Sequence, residues 1–221
     1  MMVELLDYWG NDEVVCDAAR VSFNKRANNY TLEQNRKLIK YLIEHEHTSP
    51  LRHCFFRFRI ECPIYVERQL FKHQIGITVN SLSGRYVDFS DSYTQITKWR
   101  KQSTNSKQGS EGSVESQEQC TSIEQSVIEH CKNAYVELLK LGVSKEQART
   151  ILPLNLNTTF IWTGSLQAVL HLFDLRLKPD AQAETREVAQ QMYEAINSLD
   201  GQPFKHTLEL WKSRHKHTGL D

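Results

Sequence analysis

The stretch His53-Cys54-Phe55-Phe56-Arg57-Phe58-Arg59-Ile60-Glu61-Cys62-Pro63 decides the fold. Cys54, Phe56, Phe58, Ile60 and Cys62 recur with a period of two. His53, Arg57, Arg59 and Glu61 occupy the positions between them, and Phe55 is the exception. Successive side chains of a strand point to opposite faces, so this is a half-buried strand with one apolar face. Pro63 suits the first turn of a helix, and Tyr65 to His73 reads as that helix.

Upstream, Asn11 can cap a first helix running through Val14, Val15 and Ala18. Thr31-Leu32-Glu33-Gln34 has the spacing of a capping box. Leu38, Ile39, Leu42 and Ile43 follow at helical spacing, and that helix ends near His45, before a His47-Thr48-Ser49-Pro50 loop. Downstream, Thr78 to Asp91 is polar and contains Ser83-Gly84-Arg85-Tyr86. Gln102 to Gln119 is poor in apolar residues and reads as a mobile surface loop. A long helix resumes through Ile123, Val127, Ile128, Cys131, Tyr135, Leu138 and Leu139, with Gly142 to close it. Ser144 to Gln147 is a second capping box, opening a short helix that carries Arg149 and stops before Pro153. Thr158 to Trp162 is β-prone. Leu166, Val169, Leu170 and Phe173 give a helix with Arg176 at its end. Ala181 to Leu199 and the Phe204-Leu208-Trp211 series give two more. The sum over 1–221 is one α+β domain with a small, mostly antiparallel sheet packed by several helices.

The composition is that of a globular chain of 221 residues, 39% hydrophobic and 10% aromatic. Lys+Arg and Asp+Glu each number 27, so the basic excess that marks non-specific nucleic-acid binding is missing. No apolar run reaches the ~18 residues of a membrane span. Met1 to Gly10 carries Glu4 and Asp7 and no basic n-region, unlike a secretory signal. Five cysteines without CxxC spacing argue against a disulfide framework or a zinc site, and a reducing cytoplasm is the expected compartment.

Several residues can carry chemistry. In Asn80-Ser81-Leu82-Ser83-Gly84-Arg85, the hydroxyls and N–H groups can cradle an anion and the guanidinium can grip phosphate through paired hydrogen bonds. An ordinary serine-rich turn explains the same letters. Lys72-His73-Gln74 can serve a second anion or simply end a helix in water. Arg149 and Arg176 each sit near a helix end. His45, His47 and His53 have no carboxylate or thiol at ligand spacing, so no metal is expected. Cys62 lies on the apolar face of the strand, where a thiol is usually inert, so it reads as core rather than as a nucleophile.

Together these pieces resemble the flavin-dependent thymidylate synthase family along nearly the whole chain. Ala18-Ala19-Arg20-Val21-Ser22-Phe23 looks like its N-terminal signature, and His47-Thr48-Ser49-Pro50 with His53 like its next segment. Arg68-Gln69-Leu70-Phe71-Lys72-His73-Gln74 followed by Ser83-Gly84-Arg85-Tyr86 is similar to the hallmark, an Arg-His-Arg triplet, a spacer, then a serine and Gly-Arg-Tyr. Ala148 to Asn155, Phe173 to Arg176 and Ala181 to Glu184 match the second half in order and spacing. The departures are Lys and Gln in place of two triplet arginines, a spacer one residue longer, Ser81 where the family often has glutamate, and Arg52 where glutamate precedes the histidine.

The resemblance implies methylation of dUMP to dTMP, with methylenetetrahydrofolate as carbon donor, FAD as hydride carrier and NADPH as reductant. By position it implies dUMP contacts at Gln69, Lys72, Ser81, Ser83, Gly84, Arg85, Arg149 and Arg176, of which Arg176 meets the uracil and is the catalytic residue. It implies FAD contacts at His47, Ser49, Lys72, His73, Gln74, Ser81, Ser165, Gln167 and His171. It also implies a cytoplasmic homotetramer with shared active sites, in a host cytoplasm if the source is viral, with neither nucleic acid nor membrane as partner. The alternatives are a non-catalytic nucleotide-binding relic and a nucleic-acid-binding module.

Overall fold

The computed structural model describes residues 1–88, 92–105 and 107–215. Strand β2, Phe55–Pro63, alternates as its sequence requires. Phe56, Phe58, Ile60 and Cys62 are buried, and Phe55 is 44% exposed on the other face. On one side β2 pairs with β1, Met2–Trp9, and on the other with β6, Asn157–Ser165; the edge strand β3, Ile77–Ser81, pairs with β6. The order is β1-β2-β6-β3, antiparallel throughout. The β-prone segment Thr158–Trp162 is therefore the middle of a longer strand. Register sets Phe58 against Trp162 and Ile60 against Phe160, so aromatic and branched side chains meet on the core face.

Helices cover that face. Helix α1 is Asp12–Arg20, and its cap is as expected: Val14 N–H donates to the Asn11 side chain at 2.9 Å. Helix α2, Leu32–Glu44, opens on the full Thr31–Gln34 capping box and ends at His45. Helix α3, Ile64–Leu70, is shorter than Tyr65–His73. Pro63 closes the strand and stands at the N-cap rather than in the first turn. Beyond Leu70 the backbone tightens, with Lys72 N–H on the Gln69 carbonyl at 3.3 Å and His73 N–H on the Leu70 carbonyl at 3.2 Å. Lys72-His73-Gln74 thus lies in a turn beyond the helix.

The segment expected as a surface loop overlaps a short antiparallel strand pair of two residues each, β4 (Lys101–Gln102) with β5 (Ser110–Glu111), and from Gln117 it is the first turn of α4, Gln117–Lys140. Gly142, at φ +85°, closes α4: Val143 N–H reaches the Leu138 carbonyl and Gly142 N–H that of Leu139, both at 3.0 Å. Helix α5 is Lys145–Ala148, followed by a 3-10 turn Arg149–Ile151 that stops before Pro153. Ser144 occupies its N-cap, but the expected box does not form, because its side chain makes no capping bond.

Helices α6 (Leu166–Arg176), α7 (Ala183–Asn197) and α8 (Lys205–Arg214) complete the chain. Helix α6 buries six side chains and is the central helix of the core, with Phe173 packed edge-on to Trp211 of α8 and to Tyr193 of α7. One core cluster joins residues from Val15 to Trp211. Among the described residues, no helix is long and apolar enough to cross a membrane.

Candidate active site

The last turn of α6 points Arg176 at the turn after α3. Its Nε donates to Nε2 of His73 at 3.0 Å and its Nη2 to the Gln69 carbonyl at 3.2 Å. A guanidinium only donates, so His73 must accept at Nε2 and carry its proton on Nδ1. His73 is buried. That burial, with Arg176 and then His171 beside it, brings its pKa down from 6.5 to about 4. The His171 ring stands edge-on to that of His73 at 5.8 Å. Burial also lowers the Arg176 pKa. Gln69, His73, His171 and Arg176, far apart in sequence, form one cluster.

The network continues outward. The Gln69 amide donates to the Gln182 side chain, Gln182 Nε2 to Glu184 at 3.0 Å, and Arg100 Nη2 to both Glu184 oxygens at 2.8 and 3.0 Å. Burial pushes Glu184 up, but the bonds from Arg100, its own backbone and Gln182 outweigh it and hold the carboxyl below its usual range.

A second cluster surrounds the serine-rich turn. A cleft of about 370 Å³ is lined by Glu67, Ser81, Gly84 and Arg149, with Phe71 and Leu152 among its apolar walls. Ser83 organises the turn: its carbonyl accepts from Tyr86 N–H at 3.0 Å and its hydroxyl from Arg85 N–H at 3.3 Å. The Arg85 side chain is exposed and pairs with Glu146 of α5 at 3.5 Å. Arg149 lines this cleft and Arg85 reaches the short helix that Arg149 caps, whereas Arg176 stands with His73.

The remaining candidates lie around α6 and the loop after α2. A cleft of about 450 Å³ is lined by Thr48, Gln167, His171, Asp174, Trp211 and Arg214. Its neighbours His47 and Ser49 are exposed, as are Lys72 and Gln74. Gln167 accepts a hydrogen bond from Arg52, so the residue that departs from the family pattern has a partner here. Ser165 is buried and caps α6, accepting from Ala168 N–H at 3.3 Å. Cys62 is fully buried, and burial pushes its thiol up to about 12, which leaves no thiolate to act as nucleophile. Among the described residues, no cluster of His, Cys, Asp and Glu could hold a metal ion.

The profile of the family described as thymidylate synthase complementing protein matches residues 4–200. A flavin-dependent thymidylate synthase of Thermus thermophilus is 38% identical over 194 residues, 88% of this chain and 70% of that protein. The one from Kosmotoga olearia is 37% identical over 190 residues, 85% and 81% of the two chains. The chain belongs to the flavin-dependent thymidylate synthase family. A solved structure with the same fold is the UMP/dUMP methylase PolB of Streptomyces cacaoi bound with 5-Br dUMP. It has a TM-score of 0.85, is 27% identical, and covers 96% of this chain and 94% of its own.

As a member of that family the chain is an enzyme, and its structure adds residues that sequence reasoning passed over. Gln182 and Glu184 stand in the matched Ala181–Glu184 segment, but nothing in the letters linked them to Gln69. Arg100 lies in a stretch with no motif. Glu67, two residues before Gln69, gave no signal, because a glutamate on a short helix looks like a solvated face.

Proposed function

We propose that this enzyme reductively methylates dUMP to dTMP, with methylenetetrahydrofolate as carbon donor, FAD as hydride carrier and NADPH as reductant. The hydrogen bond from Arg176 to His73 carries the reading. The residue assigned to the uracil and one assigned to the flavin share a hydrogen bond inside one chain, as adjacent substrate and cofactor require. The relatives' names and the nucleotide bound by the PolB structure point the same way.

The phosphate of dUMP sits on the Ser83-Gly84-Arg85 turn with Arg149 across the cleft, and Arg85 leaves Glu146 to reach it. Gln69 and Lys72 flank the nucleotide, and Ser81 borders both ligands. Arg176 stabilises negative charge on the pyrimidine, a fixed cation aimed at where charge develops. Its bonds to His73 and the Gln69 carbonyl hold it in place before substrate arrives.

The residues present fit FAD. The cleft beside Gln167 and His171 offers donors and a cation, Arg214, and Lys72 supplies a further charge next to His73. His47, Ser49, Lys72, His73, Gln74, Ser81, Ser165, Gln167 and His171 would border the cofactor, Ser165 through its position at the head of α6. When bound, FAD supplies the hydride that completes the methyl group. Residues 1–221 act as one domain, and the enzyme works in the cytoplasm as a homotetramer with shared sites.

The test is a visible spectrum of protein incubated with FAD and freed of excess ligand, followed by a dTMP assay with dUMP, methylenetetrahydrofolate and NADPH. A retained flavin band and dTMP formation are expected. Arg176→Ala should keep the band and form little dTMP. Near-normal turnover in that variant removes Arg176 from its role, and a colourless wild type removes FAD.

A further inference from the structure

The cleft between α3, β3 and the Arg149 turn has two chemically opposite walls. Arg149 and the backbone of Gly84 suit an anion. Glu67 lines the same space, and its Oε1 accepts the Ser81 hydroxyl at 2.9 Å. Burial raises the Glu67 carboxyl above its usual range, although Ser81 and Arg68 pull it back. A carboxylate beside a phosphate site repels the ligand unless the ligand brings it a hydrogen-bond donor. dUMP has two such donors, the uracil N3–H and the sugar 3′-hydroxyl. Arg176, which is assigned to the uracil, lies in the other cluster with His73. The sugar hydroxyl, a few bonds from the phosphate, is the donor left for Glu67.

We propose that Glu67 binds the 3′-hydroxyl of the nucleotide sugar, so that this cleft reads dUMP with a cation for its phosphate and a carboxylate for its sugar. The inference rests on the reading of the cleft as the nucleotide site. It also gives a physical sense to a departure seen in the sequence. The family often places glutamate at the position of Ser81. In this chain Ser81 is a short hydroxyl bonded to a carboxylate that arrives from α3, so the negative charge enters the same cleft from a different element.

The test is calorimetric binding of dUMP and of 2′,3′-dideoxyuridine 5′-monophosphate to FAD-incubated protein. Wild type should bind the dideoxy nucleotide about tenfold or more weakly, the range of a hydrogen bond to a charged group. Glu67→Ala should weaken dUMP by a similar factor and no longer distinguish the two nucleotides. Glu67→Ala combined with Ser81→Glu should return the dUMP Kd to within about threefold of wild type. If Glu67→Ala does not fold, Glu67→Gln is read with the same sign. Unchanged or tighter dUMP binding to the Glu67 variant, with Arg149→Gln weakened, overturns the inference and leaves the nucleotide site standing. If neither variant changes dUMP affinity, the cleft is not the nucleotide site and both readings fall.

Discussion

At the scale of single residues, His73 carries a proton balance that can be measured. Unfolded, it titrates near 6.5; folded, burial, Arg176 and His171 hold it near 4. Between those values the unfolded chain binds a proton that the folded chain does not, so stability falls as pH drops from about 6.5 towards 4. Denaturant unfolding at pH 7 and pH 5 should show that loss, and His73→Gln, which keeps an acceptor without the titration, should shrink it. An equal loss in both proteins would assign the dependence to other groups. Arg85 makes a second residue-scale prediction. Its pair with Glu146 is solvent-exposed and contributes at most about 1 kcal/mol. Phosphate can therefore displace it, and Arg85→Ala should raise the dUMP Kd by about tenfold or more. An unchanged Kd would free Arg85 from the phosphate. The candidate cations stand out in the sequence only through the family resemblance, because an ordinary serine-rich turn explains Ser83-Gly84-Arg85 equally well and Arg149 and Arg176 are single arginines near helix ends. What Arg176 touches was not legible at all, since its bond to His73 closes a gap of 103 residues.

At the scale of elements, what could be read depended on whether one periodicity ran unbroken. β2 alternates without interruption and was plain. β1 was passed over because a bulge between Leu5 and Asp7 shifts its register and Glu4 and Asp7 lie among its apolar residues. β3 was hidden in a polar stretch, because an edge strand buries only one side of a short run. Helix ends with side-chain signals, Asn11 and Thr31, were legible; the end of α3, set by backbone turns, was not. Gly10 joins β1 to α1 at φ +98°, and a Cβ there would sit 2.5 Å from Cys54 Sγ. Gly10→Ala should therefore cost at least about 1–3 kcal/mol of unfolding free energy. A change within a few tenths of a kcal/mol would mean that the junction relaxes freely. Arg100 ties the arm before the hairpin to α7 through Glu184, and Glu184 reaches Gln69 through Gln182. Arg100→Met should lower kcat while leaving the FAD band intact. A fall in flavin retention alone would make the bond merely structural.

At the scale of the whole molecule, α4 is the element that one chain does not account for. A helix of 24 residues buries only Tyr135. Ile123 and Val127 are 58% and 50% exposed, and with Trp99, Cys120 and Ile128 they line an apolar groove of about 320 Å³. Helical stability in proteins comes mostly from packing an apolar stripe, so a stripe left in water argues for a missing neighbour. The proposed homotetramer supplies one: a second copy laying its own α4 stripe against this one, the self-complementary contact that a two-fold axis produces. Arg85 and Arg176 lie in separate clusters of one chain, and the proposed assembly would bring a second set of both. The chain alone weighs 25.8 kDa. Sedimentation of the wild type should give a species about four times that mass. Ile123→Asp with Val127→Asp, placing charges on the stripe without touching either cleft, should give smaller species that form little dTMP. A wild type that sediments as a single chain and still forms dTMP would refute the shared site. A tetramer untouched by the two aspartates would move the interface to another face.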